Sequence, residues 1–380
     1  MKMNRKMAAL LAAGMMAISA LGMSAAAEET TEKSDTCRSY LTGEEVSTGI
    51  GRTRPVAIML NNIYDAIPQY GIGRAGVVYE AEVEGLITRL MGIFEDYQGI
   101  SRIGSVRSCR PYFIYYAREF NAMYAHYGQA VYAIPVLLLE STTNISGIPE
   151  YGLSELGQSA YYRSDDRPSP HNVFTNYDMM TETIRTMCYD TAYSESYTGH
   201  YNFAADGEEV NLENGQIAKV VLPGYTYNHA RFDYSAEDGL YYRSQYGSAQ
   251  VDGETGEQLA YKNIILQYCE SDAFDDNGYL WTNPWSGGSG YYITNGRAIK
   301  ITWEKENWSE DDEIVASIDS VYLSVPVREC DFNVTRYYDE DGNEITLNQG
   351  KTWVCIIRNA HADHVIISDD PTIDSSAIDF

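Results

Sequence analysis

The chain predicts an α+β protein, with an N-terminal α/β layered domain over residues 54–190 and a mainly antiparallel β domain over 199–358. Three observations carry this. After a leader is set aside, about 350 residues remain, more than a single domain usually holds. Strand-like and helix-like runs intermingle up to about Tyr189, whereas beyond Gly199 alternating polar and apolar runs are broken by turn signals. Those signals are Glu237-Asp238-Gly239, Asp252-Gly253, Asn295-Gly296 and Asp341-Gly342, and Asp-Gly or Asn-Gly between β-rich runs is a strong hairpin cue.

Lys2, Arg5 and Lys6 precede an apolar run from Met7 to Leu21 and then Ala25-Ala26-Ala27, the layout of a cleavable signal peptide over 1–27. The run is shorter than the roughly 20 residues a spanning helix needs. The first cysteine, Cys37, follows the polar Lys33-Ser34-Asp35-Thr36, which does not fit a lipid-attachment box. A secreted or envelope-associated protein is expected. Residues 28–53 read as a linker. Pro55 to Asn61 then reads as a strand, Val77 to Phe94 as a hairpin about Glu84-Gly85, Pro111 to Phe120 as a helix and Ala122 to Tyr127 as a strand. Ile134 to Glu140 is ambiguous, and Thr175-Asn176-Tyr177-Asp178 opens a helix through about Met187. Residues 359–380 read as a tail. The six cysteines permit up to three disulfides in an exported chain, although Cys269 and Cys355 sit in apolar runs that suit buried thiols, and no spacing suits zinc.

The chain holds 54 acids and 27 bases; losing 1–27 removes three bases and no acid and moves the formal charge from −27 to −30. Such a surface repels nucleic acid and anionic lipid. Against that background, Tyr97 to Arg118 contains Arg102, Arg107, Arg110 and Arg118 and no acid. Pro111 suits the first turn of a helix, so Arg107, Ser108 and Arg110 should gather where a helix begins and anions are favoured. With Glu84-Gly85 as a two-residue turn, Glu80 stands opposite Arg89 as a cross-strand pair that joins Arg89 to the island. The Tyr162–Asn172 segment is a proline-stiffened loop in which Arg163, Arg167 and Asn172 suit anion binding, and Asp165 or His171 suits proton transfer. His126 ends a predicted strand, a frequent place for site residues. The 33 tyrosines fit β-sheet propensity before they fit sugar stacking. No metal site and no cofactor are expected.

Several linear motifs resemble the YerB-like lipoprotein family of Gram-positive bacteria. They include Arg54-Pro55-Val56-Ala57-Ile58-Met59, Val78-Tyr79-Glu80-Ala81, Ile103-Gly104-Ser105-Val106-Arg107-Ser108, Arg110-Pro111-Tyr112-Phe113, Pro170-His171-Asn172, Ile301-Thr302-Trp303-Glu304-Lys305 and Gly350-Lys351-Thr352-Trp353. The resemblance covers about 40–357. Because the family is a two-part domain of unknown function, it implies architecture and location, not a reaction. The chain departs from the pattern in three places: the lipid-attachment cysteine is missing, Asn61-Asn62-Ile63 replaces Asp-Asn-His, and about 309–333 is an insertion. A looser architectural likeness to the LytR-CpsA-Psr phosphotransferases implies a pyrophosphate clamp of Arg89, Arg102, Arg107, Arg110, Arg163 and Arg167. Two readings follow: a binder of an anionic wall or lipid-linked glycan, with possible wall association, or a phosphotransferase or hydrolase acting on one, with a divalent metal.

Overall fold

The computed structural model describes residues 35–276, 278–306, 313–318, 321–326 and 332–373. The expected signal peptide and residues 374–380 lie outside them. Eleven strands form one sheet: β1 Val56–Asn61, β2 Val77–Glu82, β3 Thr88–Phe94, β4 Met123–His126, β5 Asn144–Ser146, β6 Gln216–Ile217, β7 Asn263–Cys269, β8 Gly288–Thr294, β9 Arg297–Lys305, β10 Thr335–Tyr338 and β11 Thr352–Arg358. Their spatial order is β6-β9-β8-β7-β11-β2-β3-β1-β4-β5, with β10 also against β9. The α+β class holds. Two separate domains do not, because strands from both halves of the chain share this sheet.

The joint is β11, which pairs in parallel with β7 on one side and β2 on the other. Its sequence, Thr-Trp-Val-Cys-Ile-Ile-Arg, is apolar on both faces, as a central parallel strand must be. Val354 and Ile356 enter one core with the helix α2 (Pro111–Arg118), while Trp353, Cys355 and Ile357 enter the other. Phe232, Tyr241 and Tyr261, from a six-stranded antiparallel sheet, close that second core. Asn295-Gly296 makes the tight turn between β8 and β9, with both residues at positive φ.

Other expectations are corrected. The supposed linker is folded from Thr36, where Thr36–Arg38 pairs with Glu45–Ser47 ahead of the one-turn helix α1 (Thr48–Gly51) and Leu41 is buried. The supposed tail contributes Ile366–Ser368, paired with Val220–Leu222. The ambiguous 134–140 run is a single helical turn, α3 (Ile134–Leu137). Helix α4 (Tyr177–Thr186) is capped by Asn176, whose side chain accepts from the Met179 N–H at 2.8 Å. Within the insertion, Glu313–Ile318 pairs with Val321–Pro326, and the remainder through 331 lies outside the described residues. Cys37, Cys109, Cys188, Cys269 and Cys355 are free thiols, so no disulfide joins any two of them, and Cys330 lies outside the described residues.

Candidate functional site

Strands β1, β2, β4, β5, β7 and β11 all run the same way, because β3 is antiparallel to both β1 and β2 and the other neighbours are parallel. Their carboxyl ends, Asn61, Glu82, His126, Ser146, Cys269 and Arg358, therefore share one edge, where binding sites of open α/β sheets collect. Arg89 stands at the same edge, one residue into β3.

The arginine island is fastened to this edge through its backbone. The Arg107 N–H donates to the Met59 carbonyl at 3.0 Å, Tyr127 N–H to the Arg107 carbonyl at 3.0 Å, and Cys109 N–H to the Gly128 carbonyl at 3.0 Å. Gly128 has φ +88°, and a Cβ there would lie 2.7 Å from Ser108 Oγ, so glycine is required for this close approach. Arg110 is the N-cap of α2, with Pro111 in the first turn.

Arg89, Arg107 and Arg110 converge. Arg89 is 5 % exposed, and one guanidinium nitrogen donates to the Ser108 carbonyl at 2.6 Å. Burial, then the positive charges of Arg110 and Arg107, pull its pKa down to about 9. Arg110 is clamped by Glu84, with Nε 2.7 Å from Oε1 and a second bond from Nη2 to Oε2. Burial and Arg110 lower the pKa of Arg107, whose Nη1 donates to the Pro170 carbonyl at 3.3 Å. The Arg107 Nε is buried and has no hydrogen-bond partner among the described residues. The same is true of the Tyr124 hydroxyl, which feels the charges of Arg89 and Arg110. Ser108 turns its hydroxyl to the Tyr127 carbonyl at 3.3 Å. The Cys109 thiol, buried beside these arginines, is pushed up to about 12, mainly by desolvation.

The 163–172 loop reaches the corner because its flanking strands, Tyr162–Arg163 and Val173–Thr175, pair with each other and the latter with Ile103–Gly104, just ahead of Arg107. His171 meets β1: the Asn61 side-chain amide donates to its Nδ1 at 2.8 Å. Burial and then Arg107 hold the His171 imidazole below its ordinary pKa. The other charged residues of the loop and its support tie the structure together. Arg102 pairs with Asp166 at 2.8 Å and lies over Phe174 and Tyr70. Arg167 donates to the Ala66 carbonyl at 2.8 Å. Arg163 and the Asn172 side chain bond at 2.8 Å and close the base of the loop. Asp165 is exposed.

Two expected members fall elsewhere. Glu80 does not meet Arg89, because the turn spans three residues, Glu84–Leu86, and β2–β3 register pairs Ala81 with Arg89 and Glu80 with Leu90. A one-residue shift sends Glu80 to the opposite face. There it is fully buried, 2.7 Å from Arg243, and accepts from Asn228, Thr88, Asn62 and Trp353. His126 is also fully buried, held through its two ring nitrogens by the Gly128 carbonyl and the Asn144 side chain, and desolvation drives its pKa down to about 4. Conversely, Glu84, Asn61 and Tyr124 belong to the corner although sequence showed Glu84 only as a turn residue, Asn61 only as a departure from the family pattern and Tyr124 not at all; their signal is tertiary, since each meets the arginines or His171 through the fold rather than by spacing.

Cavities of about 530 and 760 Å³ are lined by other residues, the first including Lys305 and Arg336, the second Lys262 and Lys351. Among the described residues, no group of three or more His, Cys, Asp or Glu side chains is arranged to hold a metal, and no helix is long and apolar enough to cross a membrane.

Comparison with known proteins matches residues 41–190 to the N-terminal domain, and residues 220–317 to the C-terminal domain, of a family described as protein of unknown function (DUF3048). A Bacillus subtilis (strain 168) protein named "Putative lipoprotein YerB" is 27% identical over 322 residues, covering 85% of this chain and 86% of that protein. The crystal structure of YerB protein from Bacillus subtilis superposes with a TM-score of 0.71 and 25% identity, covering 88% of this chain and 100% of that one.

Proposed function

Because the chain belongs to the DUF3048 family, whose two parts are both described as of unknown function, we propose its role from the geometry: a cell-envelope protein that binds an anionic group at the Arg89–Arg107–Arg110 corner. The ligand class is a phosphate-bearing wall glycan or lipid-linked glycan. Envelope location is supported by the relative's description as a lipoprotein and by the leader-like N-terminus of this chain. The observation that carries the binding reading is Arg89. It is a buried guanidinium, hydrogen-bonded to one neutral carbonyl, facing two further arginines in a strongly acidic protein. Buried charge of one sign is costly without a counter-charge, and Glu84 supplies only one.

Of the two groups suited to proton transfer, Asp165 is exposed and His171 stands near Arg107 with its Nδ1 occupied by Asn61; the arginine cluster itself supports binding, and we take the binder as the reading. Calorimetric titration of the full chain with inorganic diphosphate tests the proposal. Arg107→Ala is expected to weaken binding about 10- to 100-fold, the loss of one charge-assisted hydrogen bond, with an unchanged melting temperature. Equal affinity in the variant and the parent protein would overturn it.

A further inference from the structure

Resting on that reading, we infer that the corner takes a dianionic phosphate, a monoester or a terminal phosphate, in preference to a phosphodiester or a carboxylate. The basis is charge and donor count within one desolvated corner. Arg89, Arg107 and Arg110 contribute three positive charges and Glu84 one negative, leaving an excess of two. His171 adds none: its Nδ1 accepts from the Asn61 amide and so carries no proton, and burial and Arg107, opposed by Asp65, hold its pKa below the ordinary value. A monoanion would leave one buried guanidinium uncompensated, whereas a dianion closes the balance. The donor count agrees: the Arg107 Nε and the Tyr124 hydroxyl, both buried, have no hydrogen-bond partner among the described residues. A monoester presents three non-bridging oxygens to such donors, a diester two. Arg102 and Arg167 are excluded from the count. Both lie over the Tyr70 and Phe174 rings and both act on the Asp166 carboxylate, which Arg102 contacts at 2.8 Å, so they form a separate charge group.

Methyl phosphate and dimethyl phosphate are a matched pair that differ by one charge and one methyl group. At pH 8 the monoester is doubly ionised, since its second pKa is about 6. Calorimetry on the full chain should show methyl phosphate binding at least about 10-fold more tightly than dimethyl phosphate. In Arg107→Gln, which lowers the excess charge to one, this ratio should collapse toward unity. Equal binding of both probes by the parent protein would overturn the dianion inference and leave the anion site standing. Binding of neither would remove the site itself. A preference that survives in Arg107→Gln would show that the charge balance is not its source, and would also overturn the inference. A prenyl monophosphate serves as the third probe: tighter binding than methyl phosphate identifies a lipid-borne head group, equal binding a free or sugar-borne phosphate, and weaker binding counts against both.

Discussion

Two glutamates two positions apart are driven in opposite directions by their surroundings. Burial alone would raise Glu84, but the hydrogen bonds and charge of Arg110 outweigh it and leave the carboxyl below its ordinary pKa. Glu82, 3 % exposed and with Arg358 no nearer than 4.0 Å, is raised by burial to about 7; His361 Nδ1 stands 3.2 Å away. Between pH 4.5, its unperturbed value, and about 7, the folded protein keeps a proton that the unfolded chain has lost. The stability contribution of Glu82 is therefore complete below pH 4.5 and disappears as pH rises through 7, a change of about 3 kcal/mol. Glu82→Gln should match the parent protein in urea midpoint at pH 4 and exceed its stability by about that amount at pH 8. A difference independent of pH would show that Glu82 is not the titrating group. The arginine corner was partly legible because an acid-free run stands out in an acidic chain. The partner that fixes Arg110 was not, since Glu84 reads in sequence only as a turn residue.

At the scale of elements, the β2–β3 hairpin was legible but its register was not. Alternation places strands, whereas register depends on how many residues the turn consumes; here Gly85 and Leu86 both take positive φ and lengthen it to three. The consequence is the buried Glu80–Arg243 pair between the large sheet and the six-stranded sheet, with the Arg243 guanidinium 4.3 Å from the Trp353 ring centre. Arg243→Met should destabilise the fold by about 3–5 kcal/mol, since it strands a carboxylate that is wholly buried. Adding Glu80→Gln to that variant should restore much of the loss. Chemical denaturation of the four proteins in this cycle measures the coupling; additive effects would mean that the pair is not energetically joined.

For the whole molecule, β11 decides the architecture. Its apolar run was legible as a strand near the C-terminus, and its parallel partners were not, because pairing across some 270 residues of sequence leaves no local pattern. The β texture of the second half was read correctly, yet half of the large sheet is built from it. The first half alone, residues 35–190, would expose β2 as an open edge and lose the Arg243, Asn228 and Trp353 groups that satisfy Glu80. That fragment should fail to show a cooperative thermal transition or dispersed amide resonances. Mixed with residues 199–373 it should recover both, because β11 then supplies the missing partner for β2. The corner depends on the same joint: β3 is held against β2, and Arg89 is positioned by β3, so the isolated fragment should also lose diphosphate binding. A fragment that melts sharply by itself would establish two independent domains and return β11 to the role of a docking strand.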